Sequence, residues 1–402
     1  MARVIATGLG IICCLGQGKS QVWSRLLGGA SAFSPVTLPD FDRFEINLAG
    51  QVPDDLLDGA TPPPHRHVSR FELLGWLAAA EAIEESGLAS AGYPEDAVGV
   101  SAGIGAAGML ESESWLHSLR SPTRTPARSL YGYPVSSLSA LVAECFGWQG
   151  QRISIATACS SSGASLGLAA EAIRRGRITA ALVVGSEALS RLTYGGFHSL
   201  RALAPDTCRP FDLNRRGLVL GEGAGAIVLE DMEAAAARGA PNYGEILGWG
   251  WTADGHHMTA PHPEGLGAHQ AMQAALKRSG LLPDQIEYIN AHGTGTRQND
   301  AAETKAVKSL FGGHSKRLKL SSTKSMTGHC LGAAGIIESV STLLAIGNKT
   351  VPPTANLEQA DPVCDLDYVP VEAQTMPELK LAMNNVMAFG GNNVALVFQS
   401  PS

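Results

Sequence analysis

The feature that most constrains the fold is a short apolar run leading through small residues into an apolar, Ala-rich stretch. Residues 153–156 predict a buried strand, and the apolar positions from Ala164 to Ile173 predict a helix. Cys159 lies between them, at the turn from strand to helix. Free N–H groups and the dipole at a helix start stabilise an anion by ~0.3–1 kcal/mol, which favours a thiolate here. The pattern therefore predicts an α/β fold with Cys159 as a candidate nucleophile.

Two histidines also follow predicted strands. His292 comes after the strand 287–290, and His329 comes after the strand 318–321 and a short polar run. Because ligands bind beyond the carboxyl ends of strands in open α/β sheets, we expect all three side chains to face one crevice. Neutral imidazoles can donate N–H groups to an enolate oxygen. Lys324 would disfavour their protonation, and Glu303 could balance its charge.

Length and composition limit the class of protein. A chain of 402 residues can bury a large core, and we divide it into α/β halves at residues 1–243 and 244–402. The net charge of −7 argues against nucleic acid as a partner. The seven cysteines lack the spacing of a metal site or of a disulfide framework. No signal peptide and no apolar run long enough for a membrane span is visible, so we expect a reduced, cytoplasmic protein.

Six motifs extend over nearly the whole chain: TACSSS at 157–162, RPFD at 209–212, GLVLGEGAGAIVLE at 217–230, AHGTGT at 291–296, KSMTGHCLGAAG at 324–335 and FGGNN at 389–393. In kind and order they resemble the β-ketoacyl-acyl-carrier-protein synthases of the elongating, two-histidine type. The resemblance implies a thiolase-like fold, in which two duplicated α/β halves form a five-layered α-β-α-β-α sandwich. It also implies the decarboxylative Claisen condensation of an acyl thioester with malonyl-acyl-carrier protein, in fatty-acid, polyene or type II polyketide synthesis.

The resemblance implies catalytic roles for individual residues. Cys159 would take the acyl group from the carrier, and His292 and His329 would bind the malonyl thioester carbonyl as CO2 leaves. Lys324 and Glu303 would form a supporting ion pair.

It also implies how the substrates are bound. The backbone N–H groups of Cys159 and Phe389 would form the oxyanion hole, and Thr294 and Thr296 would contact the pantetheine arm. The gate and acyl pocket would comprise Phe389, Met387, Leu110 and Phe197.

The partners implied are an acyl carrier protein and a second subunit, in a homodimer or in a heterodimer with a chain-length-factor-like protein. No metal or organic cofactor is expected, because the substrates travel on phosphopantetheine and supply the leaving CO2 themselves. An acidic carrier needs a basic docking surface on this negatively charged chain. The candidates are Arg209 first, then Arg66, Arg70, Arg124 and Arg128.

Two other classes share parts of this pattern. A chain-length-factor-like, non-catalytic subunit typically lacks the nucleophile, whereas Cys159 is present here. A thiolase would use two cysteines without decarboxylation, and the paired AHGTGT and KSMTGH motifs favour decarboxylative condensation instead.

The loop from Ala202 to Arg209 is shorter than in common fatty-acid enzymes, and Met387 stands where a second Phe is usual. These departures leave the metabolic pathway open.

Overall fold

A computed structural model of the protein describes residues 2–63, 67–122 and 124–401. Its first half is built on a mixed sheet with the strand order β3-β2-β4-β5-β1. These strands are β1 Val4–Cys13, β2 Val98–Ile104, β3 Arg152–Ile155, β4 Ala180–Glu187 and β5 Gly223–Asp231. β5 runs antiparallel to β1 and β4, while β2 runs parallel to β3 and β4.

The second half repeats this arrangement, with the strand order β8-β7-β9-β10-β6. Its strands are β6 Gly244–Ala253, β7 Tyr288–Asn290, β8 Lys319–Ser321, β9 Leu381–Met387 and β10 Asn392–Gln399. The parallel and antiparallel pairings match those of the first half strand for strand. The two sheets meet where β1 pairs with β6. The predicted duplication of an α/β half is therefore confirmed.

Helices lie outside both sheets and between them. The longer ones are α1 Lys19–Leu27, α2 Arg70–Ser86, α3 Met109–Ser118, α4 Ser137–Phe146, α5 Ser161–Arg174, α6 Arg191–Ser199, α7 Leu266–Ser279, α8 Arg297–Phe311 and α9 Ala334–Asn348. α2 and α4 cover the outer face of the first sheet, and α7 and α8 cover that of the second. α5 and α9 contact each other and strands of both halves, so they form the middle layer of a five-layered sandwich.

Short elements complete the chain. Small strands are Gly16–Gln17, Ser34–Pro35, Leu48–Gly50, Leu220–Gly221, Thr350–Val351 and Gln374–Thr375, and short helices are Asp54–Asp58, Met232–Ala237 and Lys324–Thr327. The expectation that no apolar run is long enough for a membrane span is wrong by length and composition: the segment Leu331–Asn348, which contains α9, would suffice, but 89% of it is buried inside the protein.

The two middle-layer helices pack at backbone distance. A Cβ atom added to Gly335, at the start of α9, would lie 2.7 Å from the backbone nitrogen of Gly163 in α5. The hydroxyl of Ser162 accepts a hydrogen bond of 3.0 Å from the N–H of Ile336. Small residues in the TACSSS and GAAG motifs therefore let the helix that follows Cys159 touch the helix that follows His329.

The Gly335→Ala substitution tests this contact. Its methyl group would collide with backbone that has little room to move, so we expect the free energy of unfolding to fall by ~1–3 kcal/mol. Gly347→Ala is the matched control in the same helix, because a Cβ there meets nothing within 4 Å. That control should be neutral or stabilising by up to about 1 kcal/mol. Chemical denaturation measures both, and equal values for the two variants would contradict the close packing.

Candidate active site

The turn from β3 to α5, here called the nucleophile elbow, is held by the hydroxyl groups of the two serines that follow Cys159. Ala158 has a left-handed backbone, with φ at 52°. The Ser161 hydroxyl donates 2.6 Å to the carbonyl of Ala158 and accepts 2.9 Å from the N–H of Thr157. The Ser160 hydroxyl donates 2.9 Å to the Thr157 carbonyl. These bonds hold a turn that is costly for a residue with a side chain, and they place Cys159 just before α5.

His329 is held against this elbow by the GLVLGEG segment. Its backbone N–H donates 2.7 Å to the carbonyl of Val219, and its carbonyl accepts 3.0 Å from the N–H of Gly221. The Nε2 atom of its ring lies 3.1 Å from the Cys159 sulfur. The nucleophile and one predicted histidine are therefore in direct contact, although 170 residues separate them in the chain.

His292 stands beside His329 with the two ring centroids 5.2 Å apart and the ring planes at 84°. The buried carboxylate of Glu303 fixes its loop by accepting hydrogen bonds of 2.8 Å from the N–H groups of His292 and Gly293. A second buried carboxylate, that of Asp300, accepts from the N–H groups that follow in the same loop. Two imidazoles thus face one reaction space from loops with many hydrogen bonds.

The predicted ion pair between Lys324 and Glu303 is wrong. The ammonium of Lys324 pairs with the carboxylate of Glu338 in α9 and donates 2.6 Å to the carbonyl of His292. The carboxylate oxygens of Glu303 accept hydrogen bonds from backbone N–H groups instead, because Glu303 lies on α8 directly behind the His292 loop. Lys324 still joins the two histidine loops, since it opens the short helix that precedes His329.

Burial and the Lys324 charge keep both imidazoles neutral. The pKa of His292 is lowered well below its ordinary value by burial, by Lys324 and by His329. The pKa of His329 is lowered in the same way by burial and by Lys324. Among the described residues, neither ring has a hydrogen-bond partner at Nδ1. Because no acceptor in the described part of the protein holds a proton at Nδ1, each ring is free to carry its proton on Nε2 instead.

The helix start alone is too weak to make Cys159 a thiolate in this structure. Burial raises the pKa of the Cys159 thiol to about 12, although Lys324 and the backbone N–H of Phe389 act in the opposite direction. Desolvation of the charged form therefore outweighs the helix dipole. The resting group is a thiol, and its proton must be removed during the reaction.

The Phe389 turn brings its backbone N–H to the Cys159 sulfur, where an oxyanion donor is expected. The Phe389 ring is half-buried and stacks on Phe197, with centroids 5.3 Å apart. Gly390 and Gly391 follow in left-handed conformations, at φ 78° and 74°. The Gly390 N–H donates 2.7 Å to the carbonyl of Met258, so a second loop holds this turn.

A cavity of about 400 Å³ opens onto these groups. Eight of the predicted site residues line it: Cys159, Phe197, His292, Thr294, Thr296, His329, Met387 and Phe389. Leu110 does not line it and lies half-buried near the start of α3. Lys324 and Glu303 stand behind the wall that the histidine loops form.

The predicted docking arginines do not gather at the cavity mouth. Arg70 is bonded to Glu222 at 2.6 Å and to Asp54 at 2.8 Å, and only 13% of its side chain is exposed. That pairing removes it from the docking set. Arg209 is 25% exposed and pairs with Asp206 at 2.9 Å. Arg124 and Arg128 are exposed, and Arg66 lies outside the described residues.

Sequence reasoning missed several charged residues of the site. Glu338 is one of them, and the signal was a carboxylate within an otherwise apolar helix just after the KSMTGH motif. The others are exposed arginines that line the cavity: Arg201, Arg216 and Arg297. They come from three separate segments of the chain, and no local pattern marks them.

Comparison with known proteins agrees with this geometry. The family described as "Beta-ketoacyl synthase, N-terminal domain" matches residues 1–235, and "Beta-ketoacyl synthase, C-terminal domain" matches residues 243–358. A 3-oxoacyl-[acyl-carrier-protein] synthase 2 of Synechocystis is 39% identical over 407 residues, which cover 99% of this chain and 98% of that protein. The structure of the ishigamide ketosynthase/chain length factor has a TM-score of 0.92 at 31% identity, with full coverage of both chains. A ketosynthase solved in complex with its type II polyketide acyl-carrier protein has a TM-score of 0.90 at 31% identity, again with full coverage of both chains.

A double-mutant cycle separates the two candidate partners of Lys324. Breaking a buried ion pair leaves an uncompensated charge, so Lys324→Met and Glu338→Gln should each destabilise the protein by ~3–5 kcal/mol. Together they should cost much less than their sum. The control cycle pairs Lys324→Met with Glu303→Gln and should show a smaller coupling. Urea denaturation gives both couplings, and a larger value for the Glu303 cycle would restore the original assignment.

The lowered pKa values of the histidines predict the acid side of the pH profile. A group with a lowered pKa stays neutral where a free imidazole would already be protonated, so malonyl decarboxylation should not fall as the pH drops through 6.5. In Lys324→Met the pH at which decarboxylation falls on the acid side should move up toward 6.5. If decarboxylation by the wild type already fell with a midpoint near pH 6.5, the conclusion that Lys324 helps to keep the imidazoles neutral would be contradicted.

Proposed function

The chain belongs to the beta-ketoacyl synthase family, and from this premise we propose how its residues perform the condensation. It is an acyltransferase of the 3-oxoacyl-[acyl-carrier-protein] synthase type, with two half-reactions at one cavity. An acyl group first moves from a carrier thioester to Cys159, and malonyl-acyl-carrier protein then extends it by two carbons with loss of CO2. The observation that carries the assignment is the contact of the Cys159 sulfur with His329, while His292 faces the same space.

In the first half-reaction, the Cys159 sulfur attacks the acyl thioester and the pantetheine sulfur leaves. Because the thiol of Cys159 has a raised pKa, its proton must pass to an acceptor as the new bond forms. Nε2 of neutral His329, at 3.1 Å, is in position to relay this proton to the departing pantetheine thiolate, with the ring's own proton on Nδ1 during this step. The backbone N–H groups of Cys159 and Phe389 hold the developing oxyanion.

In the second half-reaction, His292 and His329 are in the tautomer that carries the proton on Nε2, and they donate from Nε2 to the carbonyl oxygen of the malonyl thioester. As the carboxylate leaves as CO2, its bonding electrons move into the thioester and form an enolate, which these two donors stabilise. The enolate carbon attacks the acyl carbon on Cys159, and the sulfur of Cys159 leaves as a thiolate that takes up a proton from solvent to restore the resting thiol. The neutral state of both rings suits this role, since an imidazolium would donate its proton to the enolate and quench it.

The reaction needs no metal or organic cofactor, because the loss of CO2 supplies the carbanion equivalent. Both substrates arrive on the phosphopantetheine of an acyl carrier protein, with Thr294 and Thr296 along the arm. We propose that the carrier docks on Arg201 at the cavity mouth and on Arg209, Arg124 and Arg128. The setting is the cytoplasm.

A second subunit of the same fold completes the assembly. The prediction of a buried strand at 153–156 is wrong: β3 is an edge strand of the first sheet, it pairs with β2 on one side, and its side chains are exposed or half-buried. Unpaired edges of this kind favour addition of another strand. We propose that a second copy, or a chain-length-factor-like subunit such as the one solved with the ishigamide ketosynthase, covers this edge.

Separate assays of the two half-reactions test the roles of Cys159 and the histidines. Cys159→Ala should form no acyl-enzyme detectable by mass spectrometry and should give no condensation. His292→Ala removes one oxyanion donor and should slow decarboxylation by about 10²–10³-fold, while acylation of Cys159 largely persists. An acyl adduct on another residue of Cys159→Ala with normal elongation would contradict the nucleophile. Equal loss of both half-reactions in His292→Ala would indicate a collapsed site.

Phe389 is proposed as a gate between the acyl pocket and the malonyl site. Its ring is half-buried, and the two glycines that follow allow the backbone to move at little steric cost. Phe389→Ala should stay folded, but malonyl decarboxylation should no longer depend on prior acylation. A buried core Phe would instead cost about 3–5 kcal/mol of stability on truncation. A large fall in Tm with acylation dependence intact would contradict the gate.

A further inference from the structure

Three exposed arginines border the cavity mouth at one backbone junction. The N–H of Gly217 donates 3.1 Å to the carbonyl of Gly295, and the N–H of Leu218 donates 2.9 Å to the carbonyl of Ala202. A Cβ on Gly217 would lie 2.4 Å from that Ala202 oxygen, so only glycine permits the junction. Arg201, Arg216 and Arg297 each lie one or two residues from it and line the cavity.

The charge at this junction is only partly balanced. Arg216 shares the carboxylate of Asp206 with Arg209, at 3.1 Å and 2.9 Å. No carboxylate of the described residues lies within ion-pair distance of Arg297, and Asp361, which it influences electrostatically, is paired with Arg215. Exposed guanidinium groups that line one cavity and are not fully paired favour an anion there, in a chain whose net charge is −7.

The cavity wall leads from the catalytic groups to these arginines. Thr294 is 5% exposed, Thr296 is half-buried and Arg297 is exposed, and all three line the cavity in that order along the chain. A phosphopantetheine arm has its thioester at one end, amide groups along its length and a phosphodiester at the other end. With the thioester at Cys159 and the amides beside the threonines, the phosphodiester arrives where the wall reaches solvent.

We propose that Arg297 and Arg216 form a binding site for the phosphodiester of the arm and so select phosphopantetheine over pantetheine. The inference rests on the proposed function and deepens it by assigning the outer end of the substrate. Guanidinium matches phosphate oxygens with paired N–H donors, which a single ammonium cannot do. The two arginines position the substrate and do not touch the reacting atoms.

Carrier-free substrates test this without any protein–protein contact. For malonyl-phosphopantetheine against malonyl-pantetheine, we expect kcat/KM of the wild type to be about 10–100-fold higher for the phosphorylated compound, since hydrogen bonds to charged groups have this strength. Arg297→Gln and Arg216→Gln should each reduce the preference through KM with kcat retained. Arg297→Lys should recover part of it. Arg175→Gln, which removes a cation 59% exposed and paired with Glu171, is the matched control and should change neither value.

Calorimetry gives an independent readout, with phosphopantetheine and pantetheine as ligands of the wild type and of Arg297→Gln. Equal affinity of the wild type for the two ligands would overturn the phosphodiester site. Losses in Arg297→Gln confined to carrier-bound malonate would also overturn it, and would assign these arginines to carboxylates of the carrier. Selective binding of phosphopantetheine without turnover of any malonyl thioester would support the site and contradict the proposed function instead.

Discussion

The ammonium of Lys324 is the charge on which the catalytic arrangement depends. It is buried, it pairs with Glu338, and it donates to the carbonyl of His292. An isolated cation could not stay charged in such a place, so the carboxylate of Glu338 is required for the lysine to act. The charged lysine then disfavours protonation of both imidazoles. Burial and this one ion pair thus together keep both histidines neutral, although Lys324 itself does not touch the reacting atoms.

The duplicated architecture explains how that ion pair reaches the site. Lys324 follows β8 of the second half, whereas Glu338 lies in α9, which packs in the middle layer against α5 and the nucleophile elbow. Glycine contacts between α5 and α9 set the distance between these elements. Because the strand order repeats in both halves, the loops after β3, β7 and β8 open toward one cavity. The fold therefore places residues far apart in sequence within hydrogen-bond distance.

The sequence alone was sufficient to predict the catalytic residues that lie beyond the ends of strands. Cys159, His292 and His329 could be predicted because strand ends in such sheets converge, and the structure places all three on one cavity. The partner of Lys324 could not be predicted in this way. Glu338 lies in a helix interior, and its role depends on how α9 packs, which local periodicity does not specify. Arg216 and Arg297 were missed for a similar reason, since their proximity arises from a backbone bond between Gly217 and Gly295.

Two opposing effects act on the protonation state of Cys159, the helix dipole and burial, and their free energies decide which one prevails. A helix N-terminus stabilises a thiolate by only ~0.3–1 kcal/mol. A rise of the Cys159 pKa from 9.0 to about 12 corresponds to roughly 4 kcal/mol in favour of the thiol, so burial dominates. Lys324 and the backbone N–H of Phe389 favour a thiolate, and the carboxylates of Glu187 and Glu338 oppose it more weakly. Keeping the proton on sulfur until a thioester arrives therefore avoids mainly the desolvation cost of a buried thiolate. It also leaves the deprotonation to neutral His329, which Lys324 keeps available as an acceptor.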